Sequence, residues 1–207
     1  PVQRSSSDSD GVLGVDEVNP TDGVLIKTDR AIIKMVRSIA LKILQDYAQK
    51  DPVLIGIMNG SFMFMADLVR ALSHPTGDIK RHLTEGRLIP RQPMYPDVDF
   101  IKVNSYDHTH STGTVSMVSG LSSSIENRHV IVVEDIVDTG LTVKYVKEYL
   151  LSKNPASVSV AALLVKHHHQ VTYPGFHSIP EDEFVFGYGL DVSGHMRSLN
   201  ELRVLPT

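Results

Sequence analysis

The chain has no cysteine among its 207 residues. That absence excludes a disulfide framework and any thiolate-bound metal, and it fits a reducing compartment. An excess of positive charge is also missing: 20 Lys and Arg stand against 24 Asp and Glu, a net charge of −4. General nucleic-acid binding is therefore not expected. A polyanionic ligand would have to be held by local donors and Mg²⁺, because there is no steering field. No apolar run approaches the length of a membrane span, and the polar start PVQRSSSDSD has no signal-peptide core. The expectation is a soluble, cytoplasmic protein with no nucleic-acid and no membrane partner.

What is present is ordinary for a globular chain, with 42% apolar and 21% charged residues. Residues 1–10 are rich in Ser and Asp and read as a disordered tail. Residues 11–207 are then one domain, long enough to bury a substantial core.

The most informative stretch is His129–Thr142, HVIVVEDIVDTGLT. The run His129–Val133 has four consecutive β-branched apolar residues without alternation, as expected for a parallel strand covered on both faces. Val143, Val146 and Leu150 follow at helical spacing. Strand, polar loop and helix in this order create an anion site, because the first helical turn leaves N–H groups unpaired. Gly140 allows close backbone approach, and Thr139 and Thr142 can add hydroxyl donors. Glu134 and Asp135 are expected at the end of the strand. Two carboxylates beside a phosphate make sense if they hold sugar hydroxyls, a divalent cation, or both. The loop suits a phosphorylated sugar. It lacks the Gly-Lys-Ser/Thr of a Walker loop and the GxGxxG of a dinucleotide site.

Elsewhere the pattern predicts a helix over residues 29–49 capped by Asp29, with Ile32, Ile33, Val36, Ile39, Ala40, Ile43, Leu44 and Tyr47 on one face. A buried strand is expected at Val53–Met58, then a small turn, Asn59-Gly60-Ser61, and a helix with Phe62, Met65, Ala66 and Val69 inward. Residues 73–97, with Pro75, Pro90, Pro93 and Pro96, read as an irregular excursion. Strands are expected at 99–106 and 114–118 around the polar loop DHTHSTG, an arrangement suited to a lid. A further buried strand, Ser157–Val165, ends in Lys166 and three histidines. Adjacent residues on an extended chain point in different directions, so the triplet is not read as a metal site. Glu183–Tyr188 reads as a short aromatic strand. The alternation of strands and helices predicts an α/β fold with a mostly parallel sheet, its ligands beyond the carboxyl ends of the strands.

The apolar run, two acids, two apolar residues and Asp-Thr-Gly-x-Thr resemble the 5-phosphoribosyl-1-pyrophosphate (PRPP) signature of type I phosphoribosyltransferases. With SYDHTHSTG, LLVKHHH and EFVFGYGLD followed by MR, the chain from about residue 50 resembles the hypoxanthine-guanine branch. The resemblance implies a mostly parallel sheet flanked by helices, a small hood built from the N-terminal part and a segment near the C-terminus, and a mobile lid hairpin. It implies transfer of a phosphoribosyl group from PRPP to hypoxanthine or guanine in purine salvage, assisted by Mg²⁺, in a homodimer or homotetramer.

By the same resemblance, Glu134 and Asp135 engage the ribose, directly or through Mg²⁺. Asp138 is the general acid/base near purine N7, and 138–142, with Thr139, Gly140, Leu141 and Thr142, hold the 5′-phosphate. Lys166 donates to the purine O6, Phe184 stacks on the base, and Val185 contacts its edge through the backbone. Asp191 is a further Mg²⁺-linked carboxylate beside the purine, and Arg197 meets pyrophosphate together with Asn59 and Gly60. Ser105 and Tyr106 belong to the lid. An ammonium only donates, so Lys166 suits a 6-oxopurine and not adenine. One departure stands out: the family's pyrophosphate turn commonly reads Leu-Lys-Gly, where this chain has Met58-Asn59-Gly60. Gly60 and Ser61 are expected to keep backbone donors there. Two other readings are a PRPP- or nucleotide-sensing regulator of the same fold, and a transferase that also accepts xanthine.

Overall fold

A computed structural model describes residues 23–85, 93–105, 115–166, 171–177 and 183–205. The tail expected over residues 1–10 and the lid loop from Tyr106 onward lie outside these residues, as does the His triplet. The described chain starts with a short strand, β1 (Val24–Lys27), and a long helix, α1 (Asp29–Asp46). Thr28, and not Asp29, caps that helix: its hydroxyl accepts from the Ala31 N–H at 3.3 Å, and Asp29 sits in the first turn. Six of the eight residues expected inside are buried along the helix, and Tyr47 is buried just past its end. Ile33 is left at the surface.

Strand β2 (Val53–Met58) leads through the small turn into α2 (Phe62–Ser73). The inward stripe of α2 is Phe64, Met65, Leu68 and Leu72, whereas Phe62 is 41% exposed. Four successive apolar residues, 62–65, blurred the stripe in the sequence. The excursion expected after Ser73 contains another helix, α3 (Gly77–Thr84). Then come β3 (Asp97–Ser105), β4 (Val115–Ser119), β5 (His129–Val137) and α4 (Leu141–Leu151). The chain closes with β6 (Ser157–Val165), β7 (Tyr173–His177), β8 (Val185–Phe186) and β9 (Leu202–Val204).

Six strands form the main sheet in the order β4-β3-β2-β5-β6-β7. All neighbours are parallel except β3 and β4, which run antiparallel at one edge. The unbroken apolar runs follow from burial on both faces. Leu54, Ile131, Val133, Ala161 and Leu163 pack with α1 and α2, while Val53, Ile55, Val130, Val132 and Val160 pack with Val146 and Leu150 of α4. At the amino ends of the strands, hydroxyls close the layers: Tyr47 donates to Ser159 at 3.0 Å and Tyr173 to Asp46 at 2.8 Å.

A separate three-stranded antiparallel sheet, β1-β9-β8, joins the start of the described chain to its end. It is the hood. Lys27 of β1 places its ammonium 3.4 Å from the ring centroid of Phe176 in β7, tying the hood to the main sheet.

The order of the main sheet decides where a ligand goes. From β2 the chain runs outward to β3 on one side, then returns to β5 on the other. Between β2 and β5 the winding reverses. Such a point leaves a crevice beyond the carboxyl ends of the two strands.

Candidate active site

A cavity of about 320 Å³ occupies that crevice. Its walls are the end of β2 with Gly60, the end of β5, the 138–142 loop, and Asp191 and Arg197 from the segment below the hood. Glu134, Asp135, Asp138, Thr139, Gly140, Leu141 and Thr142, drawn from the sequence, are therefore brought together with Gly60, Asp191 and Arg197. Val103 and Val115, the apolar residues flanking the lid loop, also line it and were not singled out in the sequence.

Strand β5 is longer than its apolar run suggested. Glu134 and Asp135 continue the ladder, and the strand ends only at Val137. Both carboxylates are buried, at 6% and 8% exposure. Burial, followed by the neighbouring charge of Asp135, raises the Glu134 carboxyl well above the usual range. One of its oxygens, Oε2, has no protein hydrogen-bond partner. Burial also raises Asp135, to about 6, against the opposing pull of backbone N–H groups and of Arg197. The desolvated Glu134 oxygen in this cavity wall suits a partner with positive charge or a hydrogen-bond donor.

The loop after β5 has the expected anion-site form. Gly140 takes a left-handed conformation, φ 78°, immediately before α4. The Thr139 hydroxyl accepts from the Leu141 N–H at 3.4 Å, and Gly140 O receives the Lys144 N–H. Helix α4 thus begins directly at the cavity wall, with the positive end of its dipole toward it.

Gly60 is required by contact. A Cβ added there would lie 1.6 Å from Asp135 Oδ2. In turn a Cβ on Gly189 would lie 2.0 Å from the Gly60 carbonyl oxygen. The peptide between Met58 and Asn59 is cis. The Ser61 N–H, expected as a free donor, instead bonds to Ile57 O, and so does the Ser61 hydroxyl at 2.7 Å. Ser61 is committed to closing β2. Asn59 is exposed and is not part of the cavity wall.

The purine-side residues are only partly gathered. Lys166 follows β6, is buried at 7% exposure, and places Nζ 3.7 Å from Asp138 Oδ2. Phe184 is 53% exposed, and Val185 is buried in β8. None of the three lines the cavity as it stands. The expected set of three metal carboxylates is not assembled either, and among the described residues no cluster of three ligating side chains forms. Asp191 is engaged: Oδ1 pairs with Arg197 Nη2 at 2.7 Å and Oδ2 accepts the Gly194 N–H at 2.6 Å. Of the lid pair, Ser105 ends β3 and Tyr106 lies outside the described residues.

Comparison with known proteins points the same way. The family model for the phosphoribosyl transferase domain matches residues 25–192. The chain is 36% identical over 182 residues to the hypoxanthine-guanine phosphoribosyltransferase of Dictyostelium discoideum, covering 84% of this chain and 91% of that protein. A crystal structure of a hypoxanthine phosphoribosyltransferase from Staphylococcus aureus superposes with a TM-score of 0.73 at 33% identity, covering 89% of this chain and 92% of the other. The Trypanosoma cruzi hypoxanthine phosphoribosyltransferase in complex with the product IMP gives a TM-score of 0.72 at 32% identity, over 91% of this chain and 97% of that one.

Proposed function

Because this chain belongs to the hypoxanthine-guanine branch of the phosphoribosyltransferase family, we propose that it carries the 5-phosphoribosyl group of PRPP to N9 of hypoxanthine or guanine. The products are IMP or GMP and pyrophosphate, a purine-salvage reaction. The observation that carries this reading is the single cavity in which two buried acids of β5 run directly into a glycine turn at the start of α4. That arrangement fits a sugar phosphate: amides and hydroxyls for the phosphate, carboxylates for the ribose.

The backbone of 139–142 holds the 5′-phosphate, and Glu134 and Asp135 receive the ribose hydroxyls. The fit of Mg²⁺ rests on the same two acids, since a buried carboxylate oxygen without a partner suits a cation. Mg²⁺ ordinarily takes one or two carboxylates and fills its remaining positions with substrate oxygens and water. Bound there, it would neutralise charge on the departing pyrophosphate. Asp191, joined to Arg197, contributes only if that pair opens. Arg197 offers a guanidinium to pyrophosphate, where negative charge accumulates as the C1–O bond breaks.

Lys166 and Asp138 read one edge of the purine, on which O6 and N7 are neighbours. The ammonium donates to O6, and the carboxylate accepts the N7 proton as N9 attacks C1. Phe184 stacks on the base, with Val185 meeting its edge through the backbone. Ser105 and Tyr106 belong to a lid that keeps water from the cationic sugar. No described helix is long and apolar enough to cross a membrane. The protein acts in the cytoplasm as a homodimer or homotetramer.

The test is a steady-state assay with PRPP and Mg²⁺, supplying hypoxanthine, guanine, xanthine and adenine in parallel. Turnover of the first two with little for adenine is expected. Strong xanthine turnover would widen the substrate class, and PRPP binding without turnover would favour a sensor.

A further inference from the structure

Arg197 and Asp191 reach the cavity from a segment whose backbone is unusual. Gly187, Tyr188 and Gly189 have φ values of 92°, 48° and 104° in succession. A Cβ at Gly187 would lie 2.1 Å from Glu201 O, and one at Gly189 2.0 Å from Gly60 O, so no side chain fits at either position. Tyr188 between them is a non-glycine residue in the left-handed region, a conformation that persists only when its surroundings hold it.

What holds it is on another element. The Tyr188 side chain is buried at 4% exposure, and its hydroxyl donates to Asp67 Oδ2 of α2 at 2.6 Å. Burial and this acceptor raise the phenol's pKa, so the proton stays in the bond. Asp67 is itself held by Arg70 through its other oxygen. One residue further, Gly189 grips Arg197 twice: its N–H donates to Arg197 O at 2.8 Å, and its carbonyl accepts from Arg197 Nη1 at 2.7 Å. Arg197 then orients Asp191.

We infer that Tyr188 and Asp67 form a latch that fixes Arg197 and the Gly60 turn at the pyrophosphate side of the cavity, making Tyr188 a positioning residue for PRPP. The inference rests on the phosphoribosyl-transfer reading above. A latch of this kind acts on one substrate. Lys166 comes from the end of β6, on the far side of β5, so its contact with the base does not depend on the latch. Phe184 and Val185 precede the latch in the chain, but they are held by β9 instead, through the Leu205 N–H to Phe184 O bond and the pairing of Val185 with Val204.

The experiment compares Tyr188→Phe, Asp67→Asn and the double variant with the wild type, measuring kcat, KM for PRPP, KM for hypoxanthine and Tm. Tyr188→Phe is expected to raise KM for PRPP about tenfold, the effect of losing a hydrogen bond to a charged acceptor. KM for hypoxanthine should stay within about twofold of the wild type. The double variant should be no worse than Tyr188→Phe alone, because both remove one interaction. Asp67→Asn, which keeps an acceptor, should fall between. An unchanged KM for PRPP in Tyr188→Phe, or equal rises for both substrates, would overturn the latch. A lower Tm with unchanged kinetic constants would also overturn it, reducing Tyr188 to a packing residue. Absence of wild-type turnover would instead sink the parent reading.

Discussion

Lys166 Nζ sits 3.7 Å from Asp138 Oδ2, although one residue follows β6 and the other follows β5. The parallel pairing of those strands, with Val137 opposite Val165, is what brings them together. A buried ammonium is thereby set next to a half-exposed carboxylate, the pairing on which the proposed reading of O6 and N7 rests.

Asp138→Asn is expected to lower kcat by about 10²–10⁴-fold, the usual worth of a positioned general base. PRPP affinity should change little, because the phosphate loop acts mainly through its backbone. Pre-steady-state turnover together with calorimetric PRPP binding checks this, and unchanged turnover would remove Asp138 from the chemistry.

Lys166→Gln keeps polarity but can present an acceptor as well as a donor. Catalytic efficiency with hypoxanthine should drop about 10–100-fold, and the preference for hypoxanthine over adenine should narrow. Competition between the two bases in one reaction reads that preference directly.

The two acids of β5 give a pH signature. Asp135 has a pKa raised from 3.8 to about 6, so the folded state holds its proton more tightly than the unfolded chain. Its contribution to stability is full below the unfolded value and is lost as pH rises through about 6. Asp135→Asn should therefore be more stable than the ligand-free wild type above that window, by on the order of 3 kcal/mol, and about as stable as it at low pH. The kcat/KM for PRPP should show an acidic limb in the same range, because the working form is the carboxylate. Melting curves and rate profiles from pH 4 to 8 test both halves.

Gly60→Ala puts a methyl group into the space held by the Asp135 carboxylate. Asp135 must turn away, and a displacement of this size costs about 10²-fold in kcat/KM for PRPP. Melting temperature should fall far less than activity. A variant with near-normal PRPP kinetics would show that Asp135 is free to move without consequence.

The main sheet and its order of strands and helices were largely legible, because burial on both faces leaves β-branched runs such as Val130–Val133. The elements that escaped notice lack such a signal. Strand β7 contains Pro174 and Gly175, which break any strand pattern, and no element is expected there, yet it is an edge strand, where proline is tolerated; Gly175 leaves room for Leu163 O, 2.4 Å from where its Cβ would be. Strand β9 is three residues long and gains its place from pairing with β8 and with β1, the latter nearly the whole described chain away. Within the site, the acids and the glycine turn were visible as a local pattern. The contact of Gly60 with Asp135 and of Gly189 with Gly60 was not, since neither glycine's neighbour is close in sequence.

The sheet's two rims carry different duties. At the carboxyl rim lie the acids, the glycine turn and the lysine; at the opposite rim, Tyr47 meets Ser159, Tyr173 meets Asp46, and His129 meets Ser157. Changes along that second rim will register as folding defects and leave the catalytic constants of the surviving molecules intact. A probe, tag or tether is best attached at an exposed position beside that rim, away from the walls of the cavity.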